Sequence, residues 1–159
     1  MNFLYHIVPK NMQGHVLCPL NQLRDSYPDL YKKYVQKYAG REELMDIRVH
    51  PLNCLWNDVL YLTAVHPSTL RKAFETADVP LRKTRFFEID PFSLDVKNTT
   101  VYLYKDLPRL SRFGKEGFVD FNPANLDSYA NISEQTIEYY RECHKNGQRP
   151  LVFQLDPHI

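Results

Sequence analysis

Every long apolar run in this sequence is brief, and proline ends most of them. Asn2 to Val8 stops at Pro9, Val59 to Val65 stops at His66-Pro67, and Arg85 to Asp90 stops at Pro91. Proline has no amide hydrogen for a β-ladder and clashes with a helix that tries to continue through it. Each run therefore reads as a short strand that meets a loop or a helix start. Thr99 to Tyr104 adds another strand, Phe118 to Phe121 a short extended piece, and Leu151 to Leu155 a closing strand.

Helical spacing fills the intervals. A helical turn follows Pro19. Ser26 reads as an N-cap with Pro28 in the first turn, then Leu30, Tyr31, Tyr34, Val35 and Tyr38 along one stripe, with Gly40 as the stop. A short helix covers Glu42 to Ile47. Ser68 reads as the cap of a helix to about Ala77, with Leu70, Phe74 and Ala77 on one face. Ser133 caps a helix over Glu134 to Asn146, whose acidic first turn suits the helix dipole, and Gly147 ends it. Strands and helices in this irregular order predict an α+β fold rather than repeated βαβ units. The 159 residues suit a single domain over 1–159.

Composition narrows the function. Twenty basic and nineteen acidic residues leave a net charge of +1. No global field draws the chain to nucleic acid or to an anionic membrane, so nucleic acid is an unlikely partner on this ground. Arg82-Lys83-Thr84-Arg85, with Arg71 and Lys72 before it, is the densest basic stretch and reads as solvated loop charge. Three scattered cysteines, Cys18, Cys54 and Cys143, form no CxxC pair, so no metal site or disulfide framework is expected. No run approaches the roughly 18 apolar residues of a membrane span, and no signal-peptide pattern opens the chain. The expectation is a cytoplasmic protein with no membrane partner.

No GxGxxG, Walker loop, GxSxG or HExxH is present, and five glycines are poor material for a phosphate-cradling loop. Candidate chemistry rests on histidines at strand positions: His6 in the first strand, His66 at a strand-to-helix junction and His158 near the last strand. Strand ends hold side chains rigidly while leaving them reachable. His66 precedes Ser68, where helix amides could meet an anion. Trp56 stands between Leu55 and the polar pair Asn57-Asp58. It suits either a clamp for a flat heterocycle or an anchor that ties a long loop to the core.

Tyr5-His6-Ile7, Val65-His66-Pro67-Ser68-Thr69, Phe87-Glu88-Ile89-Asp90-Pro91 and Pro157-His158-Ile159 together resemble, in order, the motifs of a family of small bacterial domains of unknown function. That family has an ADP-ribosyltransferase-like fold. Pro67 and the long segment at residues 9–57 depart from its pattern. The resemblance implies mixed sheets with flanking helices, NAD as cofactor and an unidentified macromolecular acceptor. It gives His6 the ribose-binding role and Tyr61 the nicotinamide-stacking role. Glu88 or Glu138 would supply the carboxylate that stabilises an oxocarbenium-like centre. The implied catalytic set is His6, His66 and Glu88, and the implied cofactor set is His6, Trp56, Asn57, Tyr61 and Ser68. The alternative is a non-catalytic nucleotide-binding or protein-interaction domain on the same fold. On either reading His6 and His66 are expected to face one cleft, with Trp56 or Tyr61 in its wall.

Overall fold

A computed structural model describes residues 2–104, 114–153 and 156–159. It is a mixed α+β domain of four helices and small antiparallel ladders. The helices are α1 (Leu20–Ser26), α2 (Pro28–Val35), α3 (Pro67–Thr76) and α4 (Glu134–Lys145). The strands are β1 (Leu4–Ile7), β2 (Arg48–Val49), β3 (Cys54–Leu55), β4 (Phe86–Ile89), β5 (Thr100–Tyr102) and β6 (Phe118–Asp120). They pair as β1–β4, β2–β3 and β5–β6.

Three single backbone pairings join β1–β4 to β5–β6. Tyr5 and Thr63 exchange backbone hydrogen bonds at 2.8 and 3.0 Å, and Leu62 and Ile159 do the same at 2.7 and 3.0 Å. Tyr102 and His158 then exchange theirs at 2.8 and 3.0 Å. The hydrogen-bonded order is thus β4, β1, residues 62–63, residues 158–159, β5, β6. On one face of it Leu4, Leu62, Val101, Phe121, Leu126 and Ile159 form a core. A second core joins α3 to α4 through Leu70, Phe74 and Tyr140.

Val59 to Val65 does not form the expected strand and pairs only singly, at Leu62 and Thr63, among the described residues. The Tyr61 carbonyl accepts from the His6 imidazole at 2.8 Å instead of from a neighbouring strand, so pairing cannot propagate toward Val59. Leu151 to Phe153 is not a strand either. The Leu151 amide donates to the Tyr139 hydroxyl at 3.1 Å, and the Tyr140 hydroxyl donates to the Val152 carbonyl. Side chains of α4 have taken the backbone groups a ladder would use; residues 154–155 of that expected strand lie outside the described residues.

Helix starts differ in an instructive way. Ser133 caps α4 as expected, its hydroxyl accepting from the Thr136 amide at 3.2 Å. Gly147, at φ 68°, closes the other end: its amide meets the His144 carbonyl and the next amide, of Gln148, meets Cys143. Ser68 does not cap α3. The helix begins at Pro67 with His66 as N-cap, and the His66 ring accepts from the Ser68 amide at 3.1 Å. Ser26 is the last residue of α1, and α2 follows from Tyr27 without a side-chain cap. Among the described residues, no helix is long and apolar enough to cross a membrane.

Candidate functional site

The polar side chains that converge lie in a cavity of about 390 Å³ between β1, the 9–20 segment, α2 and residues 57–61. The turn Trp56–Asp58 forms one end of it. Asp58 fixes that turn by accepting from the Leu55 amide at 2.8 Å and from the Asn21 side chain at 2.7 Å. These bonds hold the Asp58 carboxyl below its usual range, that from Asn21 contributing most. With Asp58 so anchored, Asn57 is driven inward and is only 3% exposed.

Asn57 carries an unmet demand. Its Oδ1 accepts from the Tyr38 hydroxyl at 2.8 Å, while its buried Nδ2 has no hydrogen-bond partner among the described residues. A buried amide left without an acceptor costs about 1–3 kcal/mol, so its position calls for an incoming group. His6 contributes the opposite polarity. A carbonyl can only accept, so the bond to Tyr61 puts the proton on Nδ1 and leaves Nε2 of the neutral ring as an acceptor. Lys10, Lys33 and Lys37 complete the rim, and no carboxylate lies among the lining residues. Lys37 sits with Nζ 5.0 Å from the centre of the Tyr38 ring. Although much of this side chain is exposed, desolvation of the ammonium lowers its pKa, and Arg41 adds to the effect.

Trp56 and Tyr61, expected to stack a ligand ring, stack on each other. Their centroids are 4.9 Å apart at 39°, and the Tyr61 hydroxyl donates to the Trp56 carbonyl. Tyr102 meets Trp56 edge-on at 5.2 Å, and His158 meets Tyr61 edge-on at 5.5 Å. Trp56 thus ties its turn to Tyr61, Tyr102 and His158, and it also lines a cavity. Burial raises the Tyr61 phenol pKa far above its ordinary value and lowers that of His158 to about 4. His158 keeps part of its accessible surface, yet the surrounding rings leave its charged form little water. A second cavity, of about 370 Å³ and mostly apolar, lies against this cluster.

His6 and His66 do not share a cleft. Successive strand residues point to opposite faces, so Tyr5 and His6 diverge. His66 packs on the Tyr5 side, ring centroids 5.3 Å apart, and Glu88 is the cross-strand partner of Tyr5. Burial first, and Glu88 second, raise the Tyr5 pKa. His66 and Glu88 are therefore brought near one residue, Tyr5, while His6 faces the Asn57 cavity. Ser68 stays with His66, its hydroxyl 2.7 Å from Nδ1. Glu138 is exposed and ion-paired with Arg141 on the outer face of α4.

No family model, curated protein or solved structure matches this chain. The site therefore stands on its own chemistry. Of the residues that line this cavity, the sequence analysis names His6, Asn57 and Tyr61 as candidates and passes over Lys33 and Lys37. Their spacing of four on the face that carries Tyr34 was the available signal. It also passes over Asp156, which is 2% exposed and bonded to Thr136 at 3.1 Å through Oδ1, with Oδ2 unpartnered among the described residues.

Proposed function

We propose that this chain is a nucleotide-binding domain whose ligand enters the His6–Asn57 cavity, and that its likeness to ADP-ribosyltransferases is one of fold and ligand, without the transfer step. The observation that carries this is the unpartnered Nδ2 of Asn57 in a cavity large enough for a flat heterocycle. An amide or base edge needs one donor and one acceptor, and Asn57 Nδ2 and His6 Nε2 supply them. Lys10, Lys33 and Lys37 at the rim suit the phosphates that follow.

What supports binding over transfer is the lining. Loss of nicotinamide builds positive charge on the ribose, which a nearby carboxylate must stabilise. This cavity presents ammonium groups instead, and Glu88 stands on the other face of β1. The three free cysteines suit a reducing compartment, the cytoplasm.

Saturation-transfer NMR with NAD, ADP-ribose and nicotinamide tests the proposal. Asn57→Leu should weaken binding about tenfold, a loss of roughly 1.4 kcal/mol, while unfolding stability moves by only about 1 kcal/mol. His6→Ala should weaken binding likewise. Absence of binding by all three compounds at millimolar concentration would remove the nucleotide reading. Release of nicotinamide from NAD would restore the transferase.

A further inference from the structure

A further cleft opens beyond the end of β1 and shares Ile7, Val8 and Lys10 with the His6–Asn57 cavity. Lys10, Arg82, Lys83, Arg85 and Arg149 line a trough of about 780 Å³, with His144 beside them. They come from three separate stretches of chain, which the fold draws to one place. No Asp or Glu is among the lining residues, and none of the five cations has an ion-pair partner among the described residues. In a chain of net charge +1 this is a local excess that summed charge conceals. The floor is apolar: Phe74, Leu81, Phe86 and Val152, with Leu81 exposed.

Five uncompensated cations repel one another, and an arrangement of that kind is relieved by a polyanion. Three of them are arginines, whose planar fork matches phosphate oxygens in pairs. A cationic rim over an apolar, partly aromatic floor fits a phosphodiester chain whose bases turn inward. A duplex would show the floor only its phosphates, and an anionic bilayer would not enter a concave trough.

We propose that this trough is a binding surface for single-stranded nucleic acid, with Arg82, Arg85 and Arg149 on phosphates and the floor under the bases. Net charge alone makes nucleic acid an unlikely partner, but it does not register charge that folding segregates to one place. The proposal stands on side chains other than His6 and Asn57, so Asn57→Leu should leave it untouched.

Fluorescence anisotropy of a short labelled single-stranded RNA and its DNA counterpart, added to the full chain, tests it. Affinity should fall about fifty-fold between 50 and 200 mM salt, as release of counterions from about four phosphates requires. Arg82→Glu with Arg85→Glu should weaken binding at least about tenfold, and the paired Gln variants should fall between. Lys32→Glu with Lys97→Glu makes the same change in net charge outside the trough and should alter affinity less than about twofold. The proposal is overturned by no binding at low salt, or by an equal loss in the control pair. It is also overturned if a polyglutamate peptide or phosphatidylserine vesicles bind as tightly as the oligonucleotide.

Discussion

Between pH 6 and pH 4 the wild-type chain is expected to hold its stability nearly constant, while Asp156→Asn loses about 2–3 kcal/mol over the same range. Two buried groups with opposite shifts produce the plateau. Burial raises the Asp156 carboxyl to about 6, only partly offset by the Thr136 hydroxyl. The folded chain therefore holds this proton when the unfolded chain has released it. Its contribution is complete below the unfolded pKa of about 4 and is lost as pH rises through about 6. His158 runs the other way: with its folded pKa lowered to about 4, it stabilises above the unfolded value of about 6.5 and loses that contribution as pH falls. Each slope is about 1.4 kcal/mol per pH unit, and in the shared window they cancel. Urea unfolding of three proteins at several pH values, each compared with wild type, separates them. Asp156→Asn should expose the acid loss due to His158. His158→Gln should instead grow more stable toward pH 4. Parallel profiles for all three would mean that neither group is shifted.

Trp56→Ala should be the most damaging single substitution in the region of the candidate site, costing about 3 kcal/mol. That is the lower end for removing a large aromatic ring, because Trp56 is only half-buried. For a domain of this size the melting temperature should drop by on the order of 10 °C. The ring is shared by Tyr61 at 4.9 Å, Tyr102 at 5.2 Å and His158 at 6.4 Å, so its loss should also wet the His158 imidazole. A histidine titration followed by NMR should show His158 climbing from about 4 toward the ordinary value. Trp56→Phe should retain most of both properties. An unchanged melting temperature in Trp56→Ala would show that the cluster is decorative.

Patterns confined to one element could be read from the sequence. Ser133, the apolar stripe of α3 and the proline-ended strands β1 and β4 announce themselves locally, because capping and periodicity act over a few residues. The two-residue strands β2 and β3 show no period at all, and their turn through Asn53, at φ 50°, carries no Gly to mark it. His66 is expected from the sequence to project into a cleft; its ring instead replaces Ser68 as the cap, a choice between two acceptors that spacing cannot make. The parting of His6 from His66 followed from strand alternation at Tyr5, yet it needed the register to show which face each loop returns to. The unmet amide of Asn57 depends on Tyr38, nineteen positions away, and is visible only in three dimensions.

Threading residues 158–159 between Leu62 and Tyr102 also sets the order of events in folding. Ladders β1–β4 and β5–β6 can form without this strap, whereas the strap bridges them only once residues 62–63 are paired with β1 and β5 is in place. The entropy of closing such long loops comes before any bond compensates it. Contacts of Ile159, which is buried against Leu4 and Leu62, therefore belong to the downhill side of the barrier. Ile159→Ala should speed unfolding and leave the folding rate almost unchanged in stopped-flow measurements. A slower folding arm would place the strap in the nucleus instead. If it forms late, it also opens first, and the lifetime of the native sheet is set by how long these two residues stay seated.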